Sequence, residues 1–266
     1  MNSKVSVIIP CGSIDKYFES ALDSILCQTY RNIEVLVIAN GLCDEDLILL
    51  QACCSKDNRV IVHSTDIRSL INALNMGIHY ASGNYIARMD CDDISLPTRL
   101  ERQIKFFNNN PEYAVVGCRV SLIDSNGSIL SKKFKFVECH DQIKRITPIR
   151  NVMCHPALMF KRSDLIKIGG YKFGFMSEDH ELFIRMLNFG MRFHNINETL
   201  FCYRRHEGQI TSFNKAWRHF IEISSFLYMH ACLEKKLKYV IGIIVLFPPL
   251  RKIKSIFDKI SIKENQ

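Results

Sequence analysis

The sequence lacks the glycine-rich loops with which many nucleotide-binding proteins hold phosphate groups. Its first strand-like run is followed by Pro10-Cys11-Gly12-Ser13, which matches neither G-x-G-x-x-G nor the G-K-[ST] ending of a P-loop. A D-x-D is also missing from this position, where phosphatases with an aspartate nucleophile carry one. These absences argue against a dinucleotide oxidoreductase, a P-loop enzyme and a phosphatase of that type.

Paired cysteine spacing is missing as well. The chain has 11 cysteines but no C-x-x-C pair, and only Cys53 and Cys54 are adjacent. A zinc site is therefore not indicated, and a disulfide framework is not expected in a chain of 266 residues. The pattern indicates reduced, mostly buried thiols in a cytoplasmic protein.

The chain has neither a signal-peptide pattern nor a long apolar run. Met1-Asn2-Ser3-Lys4 leads directly into a short strand-like segment. The longest apolar stretch, residues 239–250, is about half of the roughly 20 residues that a membrane-spanning helix needs. We therefore expect no helix that crosses a membrane.

The composition is that of a globular protein with a sizeable core, and its charge is unevenly distributed. Hydrophobic residues make up 47% and charged residues 23%, with a mean hydropathy of zero and a net charge of +8. Residues 1–214 carry 25 Lys and Arg against 23 Asp and Glu, whereas residues 215–266 carry 10 against 4. A basic tail of this kind is typical of proteins that meet nucleic acid or an anionic membrane surface.

The first hundred residues alternate between strand and helix patterns. Short, continuously apolar runs indicate buried strands, and apolar residues at helical spacing indicate helices between them. Such alternation with short connections predicts an α/β fold with a parallel sheet and helices on both faces. The predicted strands cover 5–10, 33–39, 60–63 and 85–89, and the predicted helices cover 15–29, 44–55 and 69–81.

The pattern changes after residue 97. A helix over 97–107 is followed by two strands, 114–123 and 128–136, which Ser125-Asn126-Gly127 would join as a hairpin. Further along, the sequence predicts a helix over 178–189, a strand over 192–203, a helix from 214 to about 237, and a short basic helix after Pro248-Pro249. We therefore predict one catalytic domain over 1–214 and a helical appendage over 215–266.

The strongest chemical signal is Met89-Asp90-Cys91-Asp92-Asp93, which directly follows a predicted buried strand. Ligands of open α/β sheets bind at the carboxyl ends of strands, and alternation along the strand predicts Asp90 and Asp92 on one side. Three neighbouring carboxylates repel one another unless a cation joins them, and their hard oxygens suit Mg²⁺ or Mn²⁺. A solvated acidic loop is the alternative interpretation.

A second acidic segment, Ser177-Glu178-Asp179, begins the helix over 178–189. A carboxylate here could act as a general base, or it could simply favour the helix N-terminus. His155 and His206, taken singly, are more typical of hydrogen-bonded structural residues.

Taken together, these segments resemble family 2 glycosyltransferases, inverting enzymes of the GT-A fold that use nucleotide-sugar donors. The likeness spans residues 4–212, and the stretch from Tyr85 to Asp93 with Leu96-Pro97-Thr98-Arg99-Leu100 is its most specific part. The other matching segments, in order, are Val5–Pro10, Ser24–Tyr30, Glu34–Ile38, His155-Pro156, Gly169-Gly170-Tyr171, Glu178-Asp179 and Tyr203–His206.

The resemblance implies a role for each matching residue. Asp179 would be the general base, and Asp92 would ligate the Mn²⁺ or Mg²⁺ that bridges the two donor phosphates. The implied nucleotide-sugar-binding residues are Pro10 beside the base, Asn40 at its edge, Asp90 near the ribose and diphosphate, Asp93 supporting that loop, and His206 near the diphosphate.

The chain departs from the family pattern after the second strand. Members commonly carry Asp-Asp-Gly-Ser there, with an aspartate that reads uracil, whereas this chain has Ala39-Asn40-Gly41-Leu42. Because an amide both donates and accepts, Asn40 could contact a uracil edge, or the donor could carry another base.

The resemblance implies transfer of galactose or glucose from a UDP-sugar to an undecaprenyl-diphosphate-linked N-acetylhexosamine. The product would be a β linkage, β-1,3 by analogy, in O-antigen or surface polysaccharide synthesis. Two alternatives stay open from the residues alone: a nucleotidyltransferase of similar fold, and a non-catalytic GT-A-like interaction subunit.

The basic tail suggests where such an acceptor is met. Lys235-Lys236-Leu237-Lys238 and Arg251-Lys252-Ile253-Lys254 flank an apolar run, which suits shallow insertion at an anionic membrane surface. Packing on the catalytic domain with a solvated basic face is the alternative. Nucleic acid is not an expected partner, because no aromatic residues alternate with the basic ones. We expect a cytoplasmic protein attached peripherally to the inner face of the bacterial plasma membrane.

Overall fold

The structure is a computed structural model that describes residues 3–174, 177–206 and 216–249. The first hundred residues alternate between strand and helix as their apolar pattern predicts. The elements are β1 (Val5–Cys11), α1 (Phe18–Leu26), β2 (Ile33–Asn40), α2 (Asp44–Cys54), β3 (Val60–Thr65), α3 (Leu70–Tyr80) and β4 (Tyr85–Arg88).

The remaining described residues add short strands and peripheral helices. Several of these elements are only two to seven residues long. They are β5 (Ile94–Ser95), α4 (Arg99–Asn109), β6 (Tyr113–Ile123), α5 (His140–Ile146), a 3-10 helix (His155–Ala157), β7 (Met159–Lys161), α6 (Arg162–Ile168), α7 (Glu178–Asn188), β8 (Arg192–Arg204), α8 (Ala216–Glu234) and α9 (Leu237–Leu246).

The strands within the described residues form one sheet in the order β3-β2-β1-β4-β7-β6-β8-β5. Strands β3, β2, β1 and β4 run parallel, and β6 is parallel to β8. Strand β7 is antiparallel to both β4 and β6, and β5 is antiparallel to β8. The predicted α/β architecture, a mostly parallel sheet flanked by helices, is confirmed.

Both faces of the sheet are covered, which explains why its central strands are continuously apolar. All seven residues of β1 are buried, and successive side chains enter opposite hydrophobic layers. One layer packs β1 against α1 and α4, and the other packs it against α3, α6 and α7. Strand β4 pairs with β1 in this sheet. The residues that follow β4 therefore leave the sheet at its carboxyl edge, beside a strand that is packed on both faces.

The predicted hairpin is wrong in its second half. Asp124 accepts hydrogen bonds from the backbone of Asn126 and Ser128 and forms the turn. Residues 128–136, however, contribute only an isolated bridge between Ile123 and Ile129. Strand β6 pairs with β7 and β8 instead, because those strands supply apolar side chains for the core. The 128–136 segment carries exposed charged side chains, namely Lys132, Lys133 and Lys135.

Buried polar side chains of α4 connect the strands around the end of β4. The Arg99 guanidinium, fully buried, donates to the carbonyl oxygens of Arg88 at 2.8 Å and Leu158 at 3.2 Å. Gln103 donates from Nε2 to the carbonyls of Val116 and Ala157, at 3.1 and 2.9 Å. Side chains of α4 therefore connect β4, β6 and the segment just before β7 through hydrogen bonds.

The C-terminal helices pack on the body of the protein. Ile223 and Leu227 of α8 form a small core with Tyr239 and Leu246 of α9 and with Ile184 of α7. Tyr239 Oη also donates to Asn188 Oδ1 at 2.6 Å. No helix in the described part of the chain combines the length and the apolar character needed to cross a bilayer.

The predicted division of the chain at residue 214 stays a prediction. That boundary and the predicted basic helix after Pro249 both lie outside the described residues. The helix predicted from 214 to about 237 corresponds to α8, and the apolar stretch that follows it begins with α9.

Candidate active site

Three aspartates follow β4 at the carboxyl edge of the sheet. Asp90, Asp92 and Asp93 each offer a carboxylate oxygen, and these oxygens all lie within 4.8 Å of one another. From β1 the chain continues to β2 and β3 on one side and then returns to β4 on the other side of β1, so the strand order reverses between β1 and β4, next to the cluster. Such topological switch points are where open α/β sheets bind ligands.

Each aspartate of this cluster has a different protein partner. Arg88 Nη2 lies 2.5 Å from Asp90 Oδ1, and His206 Nε2 lies 2.9 Å from Asp92 Oδ2. Asp93 is fully buried and accepts a hydrogen bond from the backbone N–H of Arg204 at 2.8 Å. The partners hold the three carboxyl groups close together despite their mutual repulsion.

The electrostatics of the cluster match those of a cation site. Burial raises the pKa of Asp90 and holds that of Asp93 well above its usual range, and the neighbouring carboxylates raise both further. The second oxygen of Asp93 is buried without a hydrogen-bond partner among the described residues. Three hard oxygen donors that repel one another fit Mg²⁺ or Mn²⁺, with Asp90 and Asp92 partly open to a ligand.

Aromatic and cationic side chains fix the loop that carries Asp92. Arg204 Nε donates to the carbonyl of Asp92 at 2.7 Å, and its guanidinium lies 4.4 Å from the centre of the Tyr17 ring. The Tyr17 ring is also 5.2 Å from the ring of His206. Tyr17 was missed in the sequence, because an isolated tyrosine before a helix carries no signal for this contact.

Asp179 lies in the first turn of α7. Its Oδ2 accepts from Asn151 Nδ2 at 2.6 Å, and its Oδ1 accepts from the backbone N–H of His180 at 2.6 Å. After burial, the charges of Asp92 and Asp179 both raise the pKa of Asp90. Asp179 is therefore within electrostatic reach of the acidic cluster, and it remains partly exposed.

Glu178, the residue before Asp179, is buried next to His155. Burial, followed by the charge of Asp179, raises the pKa of Glu178 to about 8. Its Oε1 is 3.8 Å from His155 Nδ1, and His155 Nε2 is 2.7 Å from Tyr171 Oη. Burial holds the pKa of His155 well below its usual range. His155 is the hydrogen-bonded structural residue that its sequence context indicates, whereas the burial of Glu178 was not anticipated.

Pro10 and Asn40 lie at the same edge of the sheet, on β1 and β2. Pro10 is buried within β1 opposite Ile38, so its ring is part of the sheet rather than an open surface. Asn40 ends β2 and is 8% exposed. The structure thus brings Asp90, Asp92, Asp93 and His206 into contact and places Asp179 nearby. The predicted roles of all seven residues stay predictions.

Solved structures share this architecture. S. aureus TarS 1–349 in complex with UDP-GlcNAc aligns with a TM-score of 0.67 at 15% identity, covering 86% of this chain and 66% of that one. A mannosyltransferase from Pyrobaculum calidifontis, in complex with GDP-Man and Mn²⁺, aligns with a TM-score of 0.60 at 18% identity, covering 85% and 64%. The chain spans about two thirds of the length of both structures. These likenesses confirm the GT-A fold.

Sequence comparisons agree with the fold. The family model described as glycosyl transferase family 2 matches residues 6–169, which include β1 to β7 and the acidic cluster. An Escherichia coli protein, O-antigen biosynthesis glycosyltransferase WbnJ, is 40% identical over 205 residues, covering 76% of this chain and 80% of the relative. The chain therefore belongs to glycosyl transferase family 2 and is a glycosyltransferase.

Proposed function

We propose that this glycosyltransferase moves galactose or glucose from a UDP-sugar to an undecaprenyl-diphosphate-linked N-acetylhexosamine. The reaction inverts the anomeric carbon and forms a β linkage, β-1,3 by analogy, during O-antigen or surface polysaccharide synthesis. The observation that carries the proposal is the juxtaposition of the Asp90-Asp92-Asp93 cluster with Asp179. An O-antigen biosynthesis relative and a structural neighbour that holds UDP-GlcNAc support the polysaccharide and UDP-sugar assignments.

Asp92, with Asp90 beside it, holds the divalent cation in this proposal. Both carboxylates are partly exposed, whereas Asp93 is buried, and His206 Nε2 contacts Asp92 Oδ2. When bound, Mn²⁺ or Mg²⁺ neutralises the charge that develops on the leaving diphosphate. A neighbour of the same fold that holds GDP-Man and Mn²⁺ supports this assignment.

Asp179 acts as the general base. The acceptor O–H bond breaks as Asp179 takes the proton, and the acceptor oxygen bonds to the anomeric carbon from the face opposite the donor diphosphate. The bond from that carbon to the diphosphate oxygen breaks, and its electron pair leaves with UDP. The donors Asn151 Nδ2 and His180 N–H hold the Asp179 carboxylate in one orientation for this step.

A lipid-linked acceptor requires contact with a membrane surface, and the C-terminal helices offer a surface for it. The turn between α8 and α9 carries Lys235 and Lys236, with Lys238 in the first turn of α9. Basic residues beside exposed apolar ones suit the headgroup region of an anionic bilayer. We therefore place the enzyme in the cytoplasm, peripherally bound to the inner face of the plasma membrane.

The two alternatives raised by the sequence lose their support. A nucleotidyltransferase of similar fold and a non-catalytic interaction subunit both conflict with membership of a glycosyltransferase family. A non-catalytic subunit would also have no need for the assembled carboxylates.

The test compares the purified full chain with two variants, Asp92→Asn and Asp179→Asn, using UDP-galactose or UDP-glucose and a lipid-diphosphate-linked N-acetylhexosamine. We expect Asp179→Asn to lower transfer at least about 100-fold, the usual contribution of general base catalysis, while UDP and Mn²⁺ still bind. Asp92→Asn should lose both metal-dependent binding and transfer.

Asp141→Asn is the matched control, because this exposed aspartate in the first turn of α5 lies outside the cluster. It should retain wild-type transfer. Wild-type turnover by Asp92→Asn would contradict the metal assignment, and wild-type turnover by Asp179→Asn would contradict the base assignment.

A further inference from the structure

Two cysteine residues lie opposite each other where β1 and β4 end. Ile8 of β1 pairs with Arg88 of β4, and Cys11 and Cys91 follow three residues later along each segment. The backbone N–H of Met89 donates to the Ile8 carbonyl at 3.1 Å, so the alignment continues past the last residue of β4. Neighbouring strands lie about 4.8 Å apart, and a disulfide spans Cα separations of this size. The register therefore brings the two cysteines within reach of a disulfide bond.

The two thiols lie on the same face of the sheet and are in contact. Cys11 belongs to the buried layer that packs against α1 and α4, and Cys91 packs against the same layer. A hydrogen bond with the Cys11 thiol, followed by burial, holds the pKa of Cys91 well above its usual range. Because the S–H of Cys11 donates to the Ser13 carbonyl at 3.3 Å, the Cys11 sulfur accepts from Cys91. The two sulfur atoms are therefore immediate neighbours.

The two thiols differ in their accessibility. Cys11 is completely buried, whereas Cys91 is partly exposed between Asp90 and Asp92. A reagent from solution therefore meets Cys91 first, and Cys11 reacts afterwards from inside the protein. The carboxylates on either side of Cys91 repel anionic reagents, so a small uncharged reagent is favoured.

Strand pairing does not hold the backbone at Cys91. Strand β4 ends at Arg88, and Cys91 lies in the turn that follows. Pro10, the neighbour of Cys11, has no N–H with which β1 could continue the ladder. The Cys91 sulfur is therefore able to move from hydrogen-bond contact to the about 2.05 Å of an S–S bond.

We propose that Cys11 and Cys91 form a reversible disulfide when a small-molecule disulfide oxidises the protein, and that this bond weakens the cation site. The Cys91 sulfur gives up its proton, attacks one sulfur of the oxidant and releases one small thiol, which leaves a mixed disulfide on Cys91. The Cys11 sulfur gives up its proton, attacks the Cys91 sulfur and releases the second small thiol. The protein is oxidised by two electrons, and the oxidant is reduced to two thiols that carry the two protons.

The bond acts on the cation site through the backbone of Cys91. Asp90 and Asp92 flank this residue, and their carboxylate oxygens belong to the cluster that lies within 4.8 Å. Bond formation draws Cys91 towards β1, and the flanking carboxylates move with it. Mg²⁺ and cations like it demand ligands at near-ideal positions, so a displacement of about 1 Å weakens binding. This effect rests on the proposed function of Asp90 and Asp92, whereas the disulfide itself does not.

The experiment treats the full chain with bis(2-hydroxyethyl) disulfide, which is small and uncharged. Peptide mass mapping without reduction should then show the Cys11 and Cys91 peptides linked, with a mass two hydrogen atoms below their sum. The affinity for Mn²⁺, measured from the electron paramagnetic resonance signal of the free ion, should fall at least about tenfold. Dithiothreitol should restore the original affinity and separate the two peptides.

Cys91→Ser and Cys53→Ser are the matched variants, each compared with its own untreated form. Cys53 is also partly exposed, but it lies in α2 and its thiol donates to Glu19 at 3.7 Å. Treatment should leave the Mn²⁺ affinity of Cys91→Ser unchanged and should weaken that of Cys53→Ser as in the wild type. Should Cys91→Ser fail to fold, the peptide map and the dithiothreitol reversal of the wild type still decide the proposal.

The outcomes separate this inference from the proposed function. A wild-type map in which Cys11 and Cys91 stay unlinked, or are linked to other cysteines, would overturn the disulfide. A disulfide between Cys11 and Cys91 that leaves the Mn²⁺ affinity unchanged would overturn the effect on the cation site. Failure of the reduced wild type to bind Mn²⁺ would contradict the proposed cation site and the effect on it, while the peptide map would still decide the disulfide.

Discussion

Arg88 is a buried cation that contacts the acidic cluster. It is the last residue of β4, is almost completely buried, and contacts Asp90 at 2.5 Å. Its carbonyl accepts from Arg99, so both its backbone and its side chain are held. A buried cation of this kind offsets part of the repulsion among the three aspartates, which would otherwise disfavour the cluster in the folded state.

Glu178 gives a pH dependence to stability. Its pKa is raised from 4.5 to about 8 in the folded protein, first by burial and then by Asp179. Between these values the unfolded chain loses the proton that the folded chain keeps, so the free energy of unfolding falls as the pH rises. Glu178→Gln should remove this fall and make the variant more stable than the wild type at pH 8. The gain should be a few kcal/mol, at about 1.4 kcal/mol per pH unit.

Denaturant unfolding of both proteins at pH 5, 6, 7 and 8 measures this difference. Glu112→Gln makes the same substitution at an exposed position and is the control. Parallel stability curves for the wild type and Glu178→Gln would rule out a protonated Glu178 in the folded protein.

At the scale of the element, α4 is the helix that links the sheet. Its apolar residues Leu100, Ile104 and Phe107 enter the core, as the amphipathic pattern predicts. Its polar residues Arg99 and Gln103 are also fully buried, which that pattern does not predict. They are tolerated because each donates to buried carbonyl oxygens, those of Arg88 in β4 and Val116 in β6 and those of Ala157 and Leu158 just before β7.

Gln103→Leu should destabilise the protein by about 1–3 kcal/mol, because two buried carbonyl oxygens lose their donor. Those oxygens belong to Val116 and Ala157. Arg102→Leu is the neighbouring control. It removes only an exposed ion pair with Glu198 at 3.2 Å, so we expect a loss below about 1 kcal/mol. Equal losses in a urea denaturation series would mean that the Gln103 hydrogen bonds contribute nothing specific.

At the scale of the whole molecule, α9 presents an apolar face that nothing in the described structure covers. Its exposed apolar residues are spaced at i, i+3, i+4, i+7 and i+8, which makes a single helical face. Tyr239, Gly242 and Leu246 on the other side are buried against α8 and the body. Packing on the body of the protein and contact with a membrane are therefore compatible, because one face of α9 is packed and the other is exposed. The exposed residues are Leu237, Val240, Ile241, Ile244 and Val245.

The double variant Ile241→Asp, Ile244→Asp should lose most of its binding to anionic vesicles. Two carboxylates would replace apolar side chains on the proposed insertion face and would repel the negative bilayer surface. Co-sedimentation with phosphatidylglycerol-rich vesicles at low salt measures this. Ile129→Asp changes an isoleucine that is 77% exposed in the turn after β6 and is the control. A wild-type chain that stays in the supernatant would contradict membrane attachment, and equal pelleting of all variants would exclude α9 as the contact.

The α/β alternation, the acidic cluster after β4 and the helix that begins at Glu178 could all be predicted from the sequence. Each depends on properties of neighbouring residues: apolar period, helix and strand length, and the position of charges relative to a buried run. The short strands β5 and β7 could not be predicted in this way, because two or three residues carry no period. Their pairing depends on β8, β4 and β6, which are distant in the chain.

The sequence by itself determined the chemistry available to this protein: three aspartates after a buried strand, an acidic helix start, and an asparagine after the apolar run of the second strand. Only the tertiary structure decided how that chemistry is used. It buries Glu178 and leaves Asp179 partly exposed, and it brings His206 into contact with Asp92. It also directs the backbone N–H of Ser69 to the side-chain oxygen of Asn40. The physical reason is that desolvation and hydrogen bonding depend on residues brought together from distant parts of the chain, which no local pattern records.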